Sequence, residues 1–267
     1  MNKDKSIGVF DSGIGGLTVA KAIRSYLPNE RLLYFGDTKH LPYGDKSIQS
    51  IQKFAENIAL FLKEQKCKMI VIACNTASSV AYDIIKDKYQ DIEIVNVIDP
   101  IINHISKYEN HNTIGVIGTK GTINSGVYNK KIKSVNNNIE VKSLATPLLA
   151  AMIEEGFFND KISQAIVHNY LKDPALTGIN KLILACTHYP LIKGLIKDYY
   201  SNEIDIIDSA TEVAKHIKNI LKDKKLLSLQ ANPRHRFFVS DYTQSFEKSA
   251  KFFFGENIQL EEVSAID

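Results

Sequence analysis

Two apolar segments of the chain end alike, in an alanine and a cysteine that are followed by polar residues. The first segment is Met69–Cys74, before Asn-Thr-Ala-Ser, and the second is Leu182–Cys186, before Thr-His-Tyr-Pro. Each has the length and composition of a buried strand, and each precedes a segment that we expect to open as a helix. A duplicated strand–cysteine–helix unit predicts two similar halves, with two thiols on opposite faces of one ligand.

Strand-like and helical segments alternate along the whole chain, which predicts an α/β fold with parallel-rich sheets flanked by helices. The strand-like segments are Ile7–Asp11, Arg31–Asp37, Lys68–Cys74, Glu93–Ile98, Thr113–Gly118, Ile139–Leu144, Lys181–Cys186, Ile204–Asp208 and His235–Ser240. The expected helices are Leu17–Leu27, Ser47–Glu64, Ala77–Tyr89, Ile162–Leu171, Leu191–Tyr199 and Ala210–Leu221.

A second internal repeat supports two similar halves. Ile7–Gly16 and Ile114–Gly121 are both strand-to-glycine-loop units, and each precedes one of the cysteine strands. Ligands of open α/β sheets bind outside the carboxyl ends of the strands, which is where both cysteines would lie. We therefore expect one site at the junction of the halves, with a boundary near Asp99-Pro100 because a residue before proline avoids helical backbone.

The composition argues against several classes of protein. Apolar residues make up 44% of the 267 residues and charged residues 24%, as in ordinary soluble globular proteins. The formal net charge of +3 is too small, and the lysines are too scattered, to indicate a nucleic-acid partner. No apolar stretch reaches the roughly 20 residues that span a bilayer. We expect no signal peptide, because the N-terminal residues contain no apolar core segment of that kind. We expect a cytoplasmic protein without nucleic-acid or membrane partners.

The cysteines and histidines do not have the spacing of metal ligands. The chain has three cysteines, an odd number that fits reduced thiols better than a disulfide framework. No C-x-x-C or H-x-x-x-H pattern occurs, so we expect no metal. Cys67 has no strand-end context and is expected to be an inert residue at a helix–strand junction.

Cys74 is the first candidate for chemistry. A thiol at a strand end, just before a helix, is exposed to unpaired N–H donors and to the positive end of the helix dipole, and both favour the thiolate. Asn75 and Thr76 could donate to a substrate carboxylate at the same helix start. Cys186 repeats the pattern with Thr187 and with a histidine. The alternative, that each cysteine is a small buried apolar residue, explains the repeat less well.

The loop after the first strand contains Asp11 and Ser12, followed by Gly13, Gly15 and Gly16. Glycines between a strand and a helix let backbone amides approach an anion. Their spacing does not match the G-x-G-x-x-G fingerprint, so a dinucleotide is not expected. Asp11 is either a helix or loop cap, or a carboxylate beside a thiol that assists proton transfer or orients an ammonium group.

Three further positions carry weaker signals. Tyr43 and Gly44 belong to a Pro-Tyr-Gly loop that offers a phenol and a free amide, whereas His40 in the same loop reads as a surface histidine. His188, two residues after Cys186, is either an acid or cation near that thiol or an unpartnered residue. Of Glu154 and its neighbour Glu155, one could point into the cleft.

Taken together, these motifs resemble those of the bacterial glutamate racemases. The matching segments occur in the family's order and span nearly the whole chain: Phe10–Thr18, Asp37–Gly44, Ala73–Ala77, Ala185–Pro190 and Asp208–Ala210. The first two favour glutamate racemases over the related aspartate racemases. The second cysteine disfavours the related decarboxylases, which have one.

The resemblance implies two α/β domains related by a pseudo-twofold axis, with the active site in the cleft between them. Residues 1–98 and 209–267 would form the first domain, and residues 99–208 the second. It also implies a cofactor-independent isomerase, a homodimer, that supplies D-glutamate for peptidoglycan, and hence for the cell wall and cell shape.

By the same resemblance, Cys74 removes the α-proton of D-glutamate and Cys186 that of L-glutamate. Asp11 would support Cys74, and His188 would support Cys186. Glu154 matches the family's glutamate in the second domain, although Thr146 stands nearby where a cysteine is often found. The residues expected to bind the substrate are Asp11, Ser12, Tyr43, Gly44, Asn75, Thr76, Thr187 and His188.

Three rival classes remain open on chemistry alone. A cysteine hydrolase would use Cys186 with His188 but leaves Cys74 unexplained. A redox protein would need the two thiols close enough for a disulfide. A two-lobed amino-acid binder would bind glutamate without exchanging its α-proton.

Overall fold

The computed structural model describes residues 3–108 and 112–263. Its strands are β1 (Ile7–Asp11), β2 (Leu32–Gly36), β3 (Met69–Ile72), β4 (Glu93–Asn96), β5 (Thr113–Gly118), β6 (Glu140–Ala145), β7 (Lys181–Ala185), β8 (Asp205–Asp208), β9 (Arg236–Val239) and β10 (Leu260–Glu262). Its helices are α1 (Leu17–Tyr26), α2 (Ile48–Glu64), α3 (Asn75–Val80), α4 (Tyr82–Lys88), α5 (Asp99–Ile105), α6 (Lys120–Asn124), α7 (Val127–Val135), α8 (Pro147–Glu154), α9 (Lys161–Leu171), α10 (Lys193–Tyr199), α11 (Ser209–Asp223) and α12 (Gln244–Phe254).

The strands form two sheets, and each strand pair in the described ranges is parallel. The first sheet has the order β10-β9-β2-β1-β3-β4, and the second has the order β6-β5-β7-β8. We call each sheet with its flanking helices a half. The sub-order β2-β1-β3-β4 recurs as β6-β5-β7-β8, so β3 and β7, which precede the cysteines, occupy equivalent places. The expected α/β fold class with two similar halves is confirmed.

The last part of the chain returns to the first half. Strands β9 and β10 extend the first sheet beyond β2, and α11 packs against α1. On this ground we propose residues 1–98 and 209–267 as the first domain and residues 99–208 as the second. The expectation that Asp99, as the residue before a proline, avoids helical backbone was wrong. Asp99 begins helix α5, and Pro100 lies in its first turn. Proline is tolerated there, since the first helical N–H groups have no partner within the helix.

Several helices differ from the predicted ones. The segment expected as one helix over Ala77–Tyr89 is divided at Ala81 into α3 and α4. The segment Leu191–Tyr199 begins as a 3₁₀ turn, Tyr189–Ile192, before α10. Helices α5, α6, α7, α8 and α12 and strand β10 were not predicted, most of them because an element of a few residues shows too little periodicity.

Helix α2 shows how the sequence directs the packing. Its first turn is capped by the Ser47 hydroxyl, which accepts a hydrogen bond from the backbone N–H of Ser50 at 3.2 Å. Apolar residues then recur every three or four positions, and Ile51, Ile58 and Leu62 are buried against the first sheet. Among the described residues, no helix is long and apolar enough to cross a membrane.

A buried ion pair joins the two segments of the first half. Lys68 Nζ lies 2.5 Å from Glu30 Oε2, and both side chains are essentially inaccessible to solvent. The ammonium group also donates to the backbone oxygens of Lys3 and Leu226, and Glu30 Oε1 accepts from the Ser228 N–H at 2.8 Å. Backbone groups that precede β1 and groups that follow α11 therefore both bind the pair.

We expect Lys68→Met to lower the free energy of unfolding by about 3–5 kcal/mol, because it leaves Glu30 as an unpaired buried charge. Urea unfolding, followed by circular dichroism, measures the change. The matched control is Lys88→Met, which removes the exposed ion pair with Glu56 and should change stability little. Equal losses in the two variants would contradict a special role for the buried pair.

Candidate active site

A cavity of about 240 Å³ lies where the carboxyl ends of the two sheets face each other. It is smaller than the roughly 300–1,000 Å³ of sites that take drug-sized ligands, so it suits a small metabolite. All the predicted site residues except Asp11 contribute to its wall. The lining residues are Ser12, Leu41, Pro42, Tyr43, Gly44, Asp45, Cys74, Asn75, Thr76, Thr119, Lys120, Pro147, Ala150, Ala151, Glu154, Ala185, Cys186, Thr187 and His188.

Cys74 follows β3 and caps helix α3, as the sequence predicts. Its Sγ accepts a hydrogen bond from the Ala77 N–H at 3.4 Å and lies 3.5 Å from the Ser12 hydroxyl. The expectation that this setting favours the thiolate is wrong, because the pKa of Cys74 is raised to about 12. Burial is the main cause and the charge of Asp11 adds to it, which together outweigh the amide and the hydroxyl.

Cys186 follows β7 but has different surroundings. No α-helix begins beside it, since a turn and the 3₁₀ segment Tyr189–Ile192 separate β7 from α10. The expectation that Cys186 repeats the helix-start geometry of Cys74 is therefore wrong. Its neighbour is instead His188, whose Nδ1 lies 3.5 Å from Cys186 Sγ. The equivalent strands thus present two thiols with unlike partners.

His188 connects Cys186 to Glu154. Its Nε2 lies 2.8 Å from Glu154 Oε1, and its ring packs edge-on against Phe253. Burial lowers the pKa of His188, but the adjacent Cys186 sulfur and the Glu154 carboxylate raise it, so that it ends well above the usual value. Glu154 lies in the cavity wall, whereas Glu155 is exposed to solvent. The structure thereby selects Glu154 from the two adjacent glutamates.

Asp11 lies behind the wall of the cavity, not in it. The side chain is fully buried, and its Oδ2 accepts hydrogen bonds from the N–H groups of Gly13 and Gly16 at 3.3 and 2.9 Å. The glycine-loop amides that we expected to approach an anion therefore bind this carboxylate. Its Oδ1 lies 3.5 Å from the Thr187 hydroxyl of the second half. Burial raises the pKa of Asp11, with the charge of His188 acting in the opposite direction.

Glycines allow the halves to approach closely around the site. A Cβ atom on Gly15 would lie 2.3 Å from the His188 ring and 2.7 Å from the Thr187 hydroxyl. A Cβ atom on Gly44 would lie 2.9 Å from the side chain of Thr119. Side chains at these two positions would force the halves apart.

The hydroxyl of Tyr43, which was expected to bind the substrate, forms a hydrogen bond within the protein instead. Its hydroxyl donates to Asp37 Oδ2 at 2.6 Å, and Asp37 Oδ1 accepts from Ser240 at 2.7 Å. His40 was expected to be a surface residue, but it is half-buried, bonded to Asp37 and stacked on Phe54. The ring of Tyr43 thus forms part of the wall while its hydroxyl fixes the loop.

Polar residues of the second half that were not predicted complete the site. Thr76 Oγ1 lies 2.9 Å from Thr119 Oγ1 and 3.1 Å from Thr122 Oγ1, so three hydroxyls meet where the halves join. Lys120 lies beside them, 3.6 Å from Asp45 across the mouth of the cavity. The repeated glycine-loop unit could have indicated Thr119, because it follows β5 as Ser12 follows β1.

The cysteines of the described chain are free thiols, and two of them, Cys74 and Cys186, line the cavity. Cys67, Cys74 and Cys186 are all unpaired. Within the described ranges, no group of three or more His, Cys, Asp or Glu side chains is placed to hold a metal ion.

Comparison with known proteins places this fold and site in a class. The glutamate racemase of Geobacter metallireducens is 40% identical over 94% of this chain and 93% of its own length. That of Thermoanaerobacter pseudethanolicus is 41% identical over 96% and 95%. The crystal structure of the Francisella tularensis glutamate racemase, in complex with D-glutamate, superposes with a TM-score of 0.92 at 42% identity, covering 98% of each chain.

These similarities and the two-thiol cleft define an isomerase, an amino-acid racemase. The model of the Asp/Glu/Hydantoin racemase family matches residues 12–217. The chain belongs to this family, and the resemblance to the bacterial glutamate racemases is confirmed.

We expect Glu154→Gln to lower the pKa of His188, because the variant keeps the shape of the side chain but loses its charge. The pH dependence of the His188 ring signals in NMR spectra measures this pKa. Glu155→Gln, one residue along and exposed, is the matched control and should leave the pKa unchanged. An unaltered titration of His188 in Glu154→Gln would contradict the pairing.

We expect Asp11→Asn to lower the pKa of Cys74, because it removes a negative charge while the amide oxygen still accepts the loop N–H groups. Alkylation of each cysteine as a function of pH, followed by peptide mass spectrometry, should show the Cys74 profile moving to lower pH. Cys67 is an internal control, since burial alone raises its pKa to about 12. A profile for Cys74 that stays in place would rule out the contribution of Asp11.

Proposed function

We propose that this protein interconverts L- and D-glutamate by proton transfer between two thiols, without a cofactor. The observation that carries the proposal is that Cys74 and Cys186, from opposite halves, line one cavity. Inversion at a carbon requires a base on one face and an acid on the other. Similarity to glutamate racemases, one of them from Francisella tularensis in complex with D-glutamate, supports glutamate as the substrate.

The wall of the cavity suits a substrate with carboxylates. Hydroxyl donors come from Ser12, Thr76, Thr119 and Thr187, and Asn75 Nδ2 is a buried donor without a partner. Donors that are fixed before the reaction stabilise the charge that develops at the carboxylate as the α-proton leaves. Enclosure of the substrate between the two halves would limit the access of water to the carbanion.

In the L-to-D direction, the Cys186 thiolate takes the α-proton. The electron pair of the C–H bond remains on the α-carbon, which becomes a carbanion. Cys74 then gives its thiol proton to the opposite face. The Cys186 sulfur becomes a thiol and the Cys74 sulfur a thiolate, so the charges balance. The reverse direction begins at Cys74. Holding both groups against the α-carbon removes the cost of their encounter.

The unlike surroundings of the thiols fit these roles. The pKa of about 12 favours the protonated thiol of Cys74, which is the state required to protonate the carbanion derived from L-glutamate. His188, whose pKa is raised well above its usual value, supplies a cation beside Cys186. Glu154 holds that ring. Asp11 acts as a positioning residue through the glycine loop and Thr187.

We extend the proposal to the cellular role. The product D-glutamate would serve peptidoglycan synthesis in the cytoplasm, and the active protein would be a homodimer without nucleic-acid or membrane partners. The similarity to bacterial glutamate racemases supports this role. Rescue of a bacterium that requires added D-glutamate tests the role, and light scattering of the purified protein tests the dimer.

A second candidate, a cysteine hydrolase, rests on one observation. Cys186, His188 and Glu154 are connected in a line, with 3.5 Å between sulfur and ring and 2.8 Å between ring and carboxylate. Nucleophile, base and acid in that order resemble a hydrolytic triad. This function leaves Cys74 without a role. A covalent acyl group on Cys186, trapped with an ester substrate and detected by mass spectrometry, would favour the hydrolase.

We expect Cys74→Ala and Cys186→Ala each to lower the rate of racemisation by at least about 10²-fold in both directions, because each removes one of the two proton carriers. Circular dichroism of L- and D-glutamate measures the rate. Cys67→Ala is the matched control, since Cys67 is buried outside the cavity, and should retain activity. Near-normal racemisation by either site variant would refute the two-thiol mechanism.

The serine variants separate the two faces. In deuterated water, Cys186→Ser should keep exchange of the α-proton of D-glutamate at Cys74 and lose that of L-glutamate. Cys74→Ser should show the opposite. Proton NMR follows both exchanges, and equal loss for both enantiomers in each variant would contradict the assignment of one thiol to each.

A further inference from the structure

Tyr128 forms a hydrogen bond across the two halves at the edge of the active site. It lies on helix α7 of the second half, and its side chain is buried. Its hydroxyl donates to Asn75 Oδ1 at 2.7 Å. Asn75 is the first residue of helix α3 in the first half and lies in the wall of the cavity. The bond therefore joins a residue outside the wall to one within it.

The side-chain amide of Asn75 has two unlike ends. Its oxygen is occupied by the Tyr128 hydroxyl, whereas Nδ2 is buried without a hydrogen-bond partner. A buried donor without a partner is unfavourable unless a ligand supplies the acceptor. Because Asn75 lines the cavity and its oxygen is occupied, Nδ2 is the end of the amide that is left to bind a carboxylate.

The opposite orientation would be unfavourable for an anionic substrate. If the amide turned over, Oδ1 would replace Nδ2 at the ligand, and two acceptors would face each other. The same rotation would take the acceptor away from the Tyr128 hydroxyl proton. The phenol thus favours the orientation with the donor available, without itself reaching the substrate.

We propose that Tyr128 is a positioning residue for carboxylate recognition: through its hydrogen bond to Oδ1, it holds the amide of Asn75 with Nδ2 available to a carboxylate of the substrate. This inference rests on the proposed function, because it assumes an amino-acid substrate with a carboxylate at this wall. It explains why a tyrosine that does not line the cavity is joined to a residue that does.

The test is a double-mutant cycle on the full-length protein. Tyr128→Phe removes the hydroxyl and keeps the buried ring, and we expect it to raise the Kd for D-glutamate and lower kcat/KM about tenfold. In protein that already carries Asn75→Ala, the same substitution should change either quantity less than about twofold, because the amide it positions is absent. Calorimetry gives the Kd, and circular dichroism of the racemisation gives kcat/KM.

Tyr200→Phe is the matched control, since the Tyr200 hydroxyl is buried without a hydrogen-bond partner and lies outside the site. It should leave binding and turnover unchanged. Equal effects of Tyr128→Phe with and without Asn75→Ala, or no effect in either, would overturn the inference. Failure of the wild-type protein to racemise glutamate would instead refute the proposed function. The binding cycle with D-glutamate would still decide the role of Tyr128, and absence of D-glutamate binding to the wild-type protein would overturn it.

Discussion

The fully buried carboxylate of Asp11 is the interaction on which the rest of the site depends. A charge removed from water costs several kcal/mol unless hydrogen bonds compensate it. Gly13 and Gly16 provide that compensation through their N–H groups, and so the loop after β1 is held in one shape. The other carboxylate oxygen lies near the Thr187 hydroxyl, so the same side chain also connects the first half to the second. Asp11 therefore positions the residues of the cavity wall although it does not line the cavity itself.

The equivalence of the two sheets ends at the thiols. Identical strand order brings β3 and β7 to corresponding places, but an α-helix follows one and a turn follows the other. Cys74 consequently has an amide and a hydroxyl as neighbours, and Cys186 has a histidine held by Glu154. Duplication supplies two thiols that line one cavity, while divergence of the following residues supplies each thiol with different partners. The proposed two-thiol mechanism uses both, because one thiol would begin the cycle protonated and the other as a thiolate.

Much of the fold and site could be predicted from local sequence. Buried parallel strands are continuous apolar segments, and the residues that follow their carboxyl ends meet at one edge of the sheet. For this reason the sequence predicts that the residues following Cys74 and Cys186 line the site. Contacts between distant segments could not be predicted. The sequence suggests that the Tyr43 hydroxyl is available to a substrate, yet in the structure it donates a hydrogen bond to Asp37. Likewise, a helix start beside Cys74 suggests a thiolate, but the depth of burial, which only the packed structure reveals, decides otherwise.

The ion pair of Lys68 and Glu30 has a consequence for the order of folding. Two of its partners, the Leu226 oxygen and the Ser228 N–H, lie far along the chain, beyond the whole second sheet. During synthesis, β1 to β4 are made before the second half. Lys68 and Glu30 therefore lack these two partners until the second half has been synthesised. The later half thus has all its strands available before the earlier one is complete. The core of the first half is therefore complete only after β9 and β10 have joined the first sheet, later than the last strand of the second sheet is made.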